Sequence, residues 1–255
     1  MIRLAVKFAY MGDGFCGSQI QPGCRTVEGE MLSALGKVSG DCDPCLRIAS
    51  RTDKGVNALG NVAAVSTELE PHTLLRALNA VSDGVFYRSF AVVDDSFNPR
   101  LASDREYRYI LPSEGLDADL ARECAAAFTG EHDFAGFCRP DGKPTVVTVD
   151  SIDVSEEGDL LVLTYRARYF LWNMVRRTAA AISSVASSRS SVDDVRAALE
   201  GGDSNFGIAR PDALTLTDIR YDGIEFTPSG SEVLSSRVSE GIFSSGLVSS
   251  FYRSL

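Results

Sequence analysis

LRIASRTDKGVNALGNVAAVS, residues 46–66, holds two apolar runs, Leu46 to Ser50 and Val62 to Ser66, around a polar middle. Each run has strand length and the middle carries turn residues, so the stretch reads as strand, turn, strand. Within the turn Gly55 permits a positive φ, Asp53 can accept from local backbone N–H groups, and Arg51 lies two residues away on the same side of an extended chain. Taken alone, this is a capped turn with a surface ion pair contributing about 1 kcal/mol or less. The same residues carry a second reading. A carboxylate held beside a guanidinium stays ionised, loses rotamer freedom and is available as a nucleophile.

Outward from that stretch, Ile2 to Tyr10 reads as a strand, followed by a glycine-rich turn. A helix from about Val27 to Val38 follows, with Val27, Met31, Leu32 and Leu35 on one face. Thr26 is its cap, with Gly29 where a capping-box glutamate would stand. Leu74 to Val81 reads as a helix and Val85 to Val93 as a mostly apolar strand. A second unit begins at the strand REYRYIL, with a helix near Leu116 to Phe128. VVTVDSIDV and LLVLTYRARYF read as a strand pair joined across SEEGD. Helices over Leu171 to Val185 and Val192 to Leu199, a strand over Leu214 to Tyr221 and a weak helix in the serine-rich tail complete the chain. Both units mix antiparallel strands with helices. The expected class is α+β, as two similar units at 1–104 and 105–255.

With 44% hydrophobic residues over 255 positions, the chain can bury a substantial core. No run approaches the roughly 18 apolar residues needed to span a bilayer, and MIRLAVKFAYMGDG reaches glycine and aspartate too early for a signal peptide. The expectation is a cytoplasmic protein without membrane contact. The net charge of −10 argues against a nonspecific nucleic-acid binder. Its cations are nonetheless almost all arginine, since Lys7, Lys37, Lys54 and Lys143 are the only lysines among 25 basic residues. Arginines beside aromatics, as in REYR and RAR, suit phosphate and base contacts, and equally suit salt bridges on an acidic surface.

GDGFCG, residues 12–17, fits the first half of a dinucleotide fingerprint, but Pro22 and Gly23 break any helix that would follow it. The better reading is a loop that lets the chain approach another segment closely. The six cysteines read as free thiols. Only CDPC, Cys42 to Cys45, has metal spacing, and Cys16 and Cys24 do not supply the second pair a zinc site needs, so no metal is expected. In REYRY, Arg105, Tyr107 and Tyr109 share one strand face. They form either a half-buried strand or a place where a tyrosine ring meets a base. In RARYFLWNMVRR, Arg176 or Arg177 points inward from an apolar helix, and a buried arginine needs an anionic partner, for which Asp53 is a candidate.

With these motifs in order, the chain resembles the TruA-type tRNA pseudouridine synthases. ASRTDKGVNALGNV (49–62) is similar to the family's RTDxGVHA box, FNPRLASDREYRYIL (97–111) to its arginine-then-RxYRY segment, and FTGEHDFAGF (128–137) to its GEHDF segment. YFLWNMVRR (169–177) matches its FLxxMVR helix, and YMGDGFCGSQIQP its YDGxxFxGWQxQ start. The resemblance implies isomerisation of uridine to pseudouridine at positions 38 to 40 of the tRNA anticodon stem-loop. It further implies a homodimer of α+β subunits with a central RNA-binding cleft, and no metal or organic cofactor. It makes Asp53 the nucleophile, with Arg51 and Arg176 beside it. Tyr107 becomes the tyrosine that stacks on the target base, Leu214 a leucine packed near that base, and Arg100 a substrate-binding arginine. Asn57 stands where the family has histidine, Ser18 where it has tryptophan, and Ala213 where it has glycine. These departures bear on the RNA contacts. They leave a second reading, an RNA-binding protein of weak activity on the same scaffold, and a third, a synthase for another RNA site.

Overall fold

Strand β1 (Ile2–Tyr10) is flanked on both sides by antiparallel partners, which explains why nearly every side chain along it is buried. The remaining elements run α1 (Val27–Ser39), β2 (Arg47–Ile48), β3 (Asn57–Thr67), α2 (Pro71–Val81), β4 (Val85–Val93), β5 (Asp104–Pro112) and α3 (Ala118–Ala127). They continue with β6 (Gly130–Asp133), β7 (Val146–Val149), β8 (Ser151–Glu157), β9 (Leu160–Ala167), α4 (Met174–Ala186), α5 (Val192–Leu199), β10 (Leu214–Arg220), β11 (Thr227–Pro228) and α6 (Glu232–Arg253). This computed structural model describes residues 1–40, 46–202 and 205–253, so the CDPC motif lies outside the described residues. Cys16, Cys24, Cys124 and Cys138 are free thiols.

One nine-stranded sheet, in the order β11-β4-β1-β3-β10-β5-β9-β8 with β2 added beside β3, carries the fold. A separate ribbon pairs β6 with β7. Every pairing is antiparallel except that of β3 with β10, where Asn57 faces Thr215 and Ala58 faces Leu216. This parallel pair is a seam within the one sheet, joining β1 and β3 to β10 and β5. Close approach at the seam depends on Gly60, where a Cβ would stand 2.5 Å from the Thr217 carbonyl oxygen. Lys7 on β1 reaches across to pair with Asp218 on β10 over that glycine. Helices α1 and α2 pack together against β4, whereas α3 and α4 pack together against β8 and β5, respectively. The mixed class and antiparallel character are those expected from the sequence.

Several boundaries differ for identifiable reasons. The run after the opening turn begins at Asn57 rather than Val62, because β1 and β10 both supply ladder partners for the earlier residues. The run before it contracts to Arg47 and Ile48, which alone pair with β3. VVTVDSIDV is two strands: β7 pairs with β6, the chain breaks at Asp150, and only β8 forms the hairpin with β9. Thr26 does cap α1, its Oγ1 accepting from the Gly29 N–H at 3.2 Å.

Candidate active site

Residues 53–56 form a tight turn closed by the Val56 N–H donating to the Asp53 carbonyl at 3.1 Å. Gly55 takes φ +86°, which the third position of a type II turn requires, and a Cβ there would meet Pro211 Cγ at 3.0 Å. The turn is held from three directions. Ser18, buried, accepts from the Thr52 N–H at 2.8 Å through its Oγ and donates its own N–H to the Thr52 carbonyl at 3.0 Å. The Tyr10 hydroxyl shares a 2.7 Å hydrogen bond with Thr52 Oγ1. Asn57 accepts from the Gly12 N–H at 2.8 Å and donates to the Asp212 carbonyl at 2.9 Å, so one side chain joins the glycine loop, the turn and the segment before β10. Two departures from the family pattern, Ser18 and Asn57, thus anchor the turn.

Asp53 emerges from this frame with its side chain 37% exposed, against an Arg176 that is only 14% exposed. Arg176 Nη1 lies 3.5 Å from Asp53 Oδ2, and its Nε donates to the Ala209 carbonyl at 2.7 Å. The helix arginine therefore faces inward and meets the carboxylate across 123 residues of sequence. Arg177 follows it with a buried Nε that has no hydrogen-bond partner among the described residues. Asp53 Oδ1 accepts from the indole Nε1–H of Trp172 at 3.0 Å. Arg51 is exposed and makes no ion pair with Asp53; the guanidinium beside the carboxylate is that of Arg176.

Tyr107 lies on the buried face of β5 with Arg105 and Tyr109, as strand alternation requires. It is 8% exposed, and its ring meets Phe170 edge-on at 5.1 Å. Burial raises the pKa of its hydroxyl, opposed by the Arg105 guanidinium and a hydrogen bond with Ser50, while the nearby Asp53 charge adds to the rise. Burial likewise pushes Tyr10 up to about 12. Both phenols are therefore neutral hydrogen-bonding groups at neutral pH. Leu214, buried, opens β10 opposite Tyr109 and precedes the residue that registers with Asn57.

Arg105 is a buried guanidinium held by neutral oxygens. Its Nε donates to Ser50 Oγ at 3.0 Å, its Nη2 to the Arg100 carbonyl at 2.9 Å, and its Nη1 to the Arg168 carbonyl. Burial lowers its pKa, offset by Tyr107, Tyr221 and Asp104. One side chain thus ties together the Arg100 and Arg168 carbonyls and the hydroxyl of Ser50, the residue before Arg51. Arg51, Arg100 and Arg168 are exposed and form no ion pair among the described residues. Several other arginines are paired with carboxylates, among them Arg25 with Asp83, Arg108 with Glu157, Arg122 with Glu156, Arg166 with Glu106 and Arg220 with Asp104. Arg76, Arg88 and Arg189 are likewise exposed without an ion pair among the described residues.

A family model described as tRNA pseudouridine synthase matches residues 124–222. The chain is 43% identical over 229 residues to tRNA pseudouridine synthase A of Pyrococcus abyssi, covering 88% of this chain and 87% of that protein. It is 33% identical over 255 residues to tRNA pseudouridine synthase A of Archaeoglobus fulgidus, covering 97% and 95%. Among solved structures, a Cbf5–Nop10–Gar1 complex is similar at 15% identity with a TM-score of 0.34, covering 71% of this chain and 45% of that one. The chain belongs to the tRNA pseudouridine synthase A family, a family of isomerases. No helix among the described residues is long and apolar enough to cross a membrane.

Residues that local pattern did not single out also shape this site: Trp172, Tyr10 and Thr52. Trp172 carried one legible signal, as the chain's sole tryptophan four residues before the inward arginine.

Proposed function

We propose that the protein isomerises uridine to pseudouridine in the tRNA anticodon stem-loop, at positions 38 to 40, with Asp53 as nucleophile. The observation that carries this reading is the meeting of Asp53 with Arg176 at 3.5 Å, from opposite halves of a sheet, in a chain of this family. Arg176 lies beside one oxygen of the carboxylate, and Trp172 fixes the other. The reaction needs no hydride, phosphate or oxidant. The target base leaves its stack at a cost of a few kcal/mol, part of which stacking on an aromatic ring offsets at ~1–3 kcal/mol. Asp53 opens the reaction at the nucleoside, the bond between N1 and C1′ breaks, and the uracil turns so that C5 bonds to C1′. C5 then releases its proton and N1 gains one, so reactant and product have the same atoms. Tyr107 supplies the ring, and Leu214 packs near the base.

Arg51, Arg100 and Arg168 take RNA phosphates, which their lack of carboxylate partners supports. The active form is a homodimer acting in the cytoplasm, and exposed Ile242, Phe243 and Leu247 on α6 offer an apolar contact surface for the second copy. The halves 1–104 and 105–255 serve as two lobes, the first carrying Asp53 and the second Tyr107 and Arg176. Incubating the purified protein with unmodified tRNA transcripts and mapping pseudouridines tests the proposal. Product confined to positions 38 to 40 is expected. Product at other positions only refutes the assignment of site, and RNA binding without product refutes the enzyme.

A further inference from the structure

Trp172 is the only tryptophan of the chain and is 43% exposed, yet three interactions hold it in one orientation. The Arg139 guanidinium lies over its ring at 4.0 Å from the centroid, the Arg139 N–H donates to its carbonyl at 2.8 Å, and its Nε1–H donates to Asp53 Oδ1 at 3.0 Å. The next residue, Asn173, adopts φ 64°, a left-handed conformation that turns the chain into α4. The core does not require a tryptophan here, since much of the indole faces solvent.

The carboxylate consequently has unlike neighbours. Oδ2 faces a cation at 3.5 Å, while Oδ1 accepts from a neutral donor. A second cation would also fix the carboxylate, but it would withdraw more of the charge a nucleophile needs. An indole N–H is donor-only and uncharged, so it can fix the rotamer without that loss. Errors of about 1 Å in the placement of a reacting group cost rate steeply.

We infer that Trp172 is a positioning residue: its indole N–H holds Asp53 Oδ1 and sets the carboxylate plane, and Arg139 stacked on the ring holds the indole. This rests on the reading of Asp53 as nucleophile. The other oxygen, beside Arg176, is left for the reacting atom.

The test compares wild type, Trp172→Phe, Arg139→Ala and Asp53→Asn in steady-state pseudouridine formation on an unmodified tRNA transcript. It also compares the intrinsic fluorescence of Trp172 in free wild type and free Asp53→Ala. Trp172→Phe keeps an aromatic ring for Arg139 but loses the N–H with part of the ring system; kcat should fall about ten- to hundredfold with KM within about twofold. Arg139→Ala should lower kcat less. Asp53→Ala should shift the tryptophan emission maximum, because the indole loses its acceptor. If Trp172→Phe turns over like wild type while Asp53→Asn is inactive, the inference fails and the nucleophile assignment stands. If its loss appears in KM alone, the indole contacts RNA rather than positioning Asp53, and the inference fails. An active Asp53→Asn overturns the reading beneath it. If Trp172→Phe does not fold, an unchanged emission in Asp53→Ala still refutes the contact.

Discussion

Asn57→Ala removes the side chain that joins three segments around Asp53, and its effect can be worked from the structure. Asn57 Oδ1 is the partner of the Gly12 N–H, and Gly12 is buried, so truncation leaves a buried donor unpaired. Such a group costs about 1–3 kcal/mol. The Asp212 carbonyl lies at the exposed edge, where water can replace the lost Nδ2 donor, and adds a few tenths at most on the scale of about 1 kcal/mol per net hydrogen bond. The expected destabilisation is about 2 kcal/mol. With an unfolding entropy of about 2.1 cal/mol/K per residue, a chain of this length loses about 2 °C in Tm per kcal/mol, so Tm should fall by about 4 °C. The Asp53 turn loses its tie to both Gly12 and Asp212, and kcat should fall about tenfold, a change equivalent to ~1.4 kcal/mol in the barrier. Asn57→Asp sharpens the test: it keeps the acceptor for Gly12 and loses only the exposed donor to the Asp212 carbonyl, so it should be more stable than Asn57→Ala. Thermal unfolding followed by circular dichroism, with pseudouridine formation on tRNA, measures both effects. An Asn57→Ala protein that melts within about 1 °C of wild type and turns over normally would refute the bridging role.

Arg100→Ala and Arg168→Ala should each weaken tRNA binding and flatten the plot of log affinity against log salt by about 0.7–0.9 per lost phosphate contact, with Tm unchanged. Unchanged slopes would show that these exposed arginines do not meet phosphates. Tyr107→Phe should retain activity within about tenfold because its ring remains against Phe170, whereas Tyr107→Ala should lose activity and about 3–5 kcal/mol of stability. Comparable activity losses in both would assign the function to the hydroxyl. Tyr10 and Tyr109 have pKa values raised from 10.0 to about 12 in the folded protein, so the folded state holds their protons more tightly than the unfolded chain. Their contribution is complete below pH 10 and is lost as pH rises toward 12, so stability should fall steeply across that window. Tyrosinate absorbance and circular dichroism should change together there; tyrosines ionising near 10 in a still-folded protein would contradict their burial.

Local pattern was enough for the elements whose burial alternates or repeats along the chain. Ile2–Tyr10 and Val85–Val93 are apolar runs bounded by glycine and acidic residues, and the strands have those bounds. The Asp53–Arg176 pair was legible in part: an arginine on the apolar face of a helix demands an anion, but which arginine and which carboxylate came from the family resemblance. GEHD, by contrast, has no apolar alternation, and its strand forms only because VVTV supplies a ladder. Trp172, Tyr10 and Asn57 reach their partners across 119, 42 and 155 residues, respectively, distances over which periodicity carries no information. Arg51 shows the opposite failure. Its nearness to Asp53 in sequence implied a pair, but the two form no ion pair, and the guanidinium beside the carboxylate is that of Arg176.

The central claim is that the Asp53 carboxylate does the chemistry. Asp53→Asn is nearly the same size and can still accept from Trp172, so the fold and the RNA surface should persist. Pseudouridine formed on a tRNA transcript by this variant, measured alongside its tRNA affinity, is the most direct test. Abolished product with binding close to wild type is the predicted result, and product formed at a wild-type rate would contradict the account.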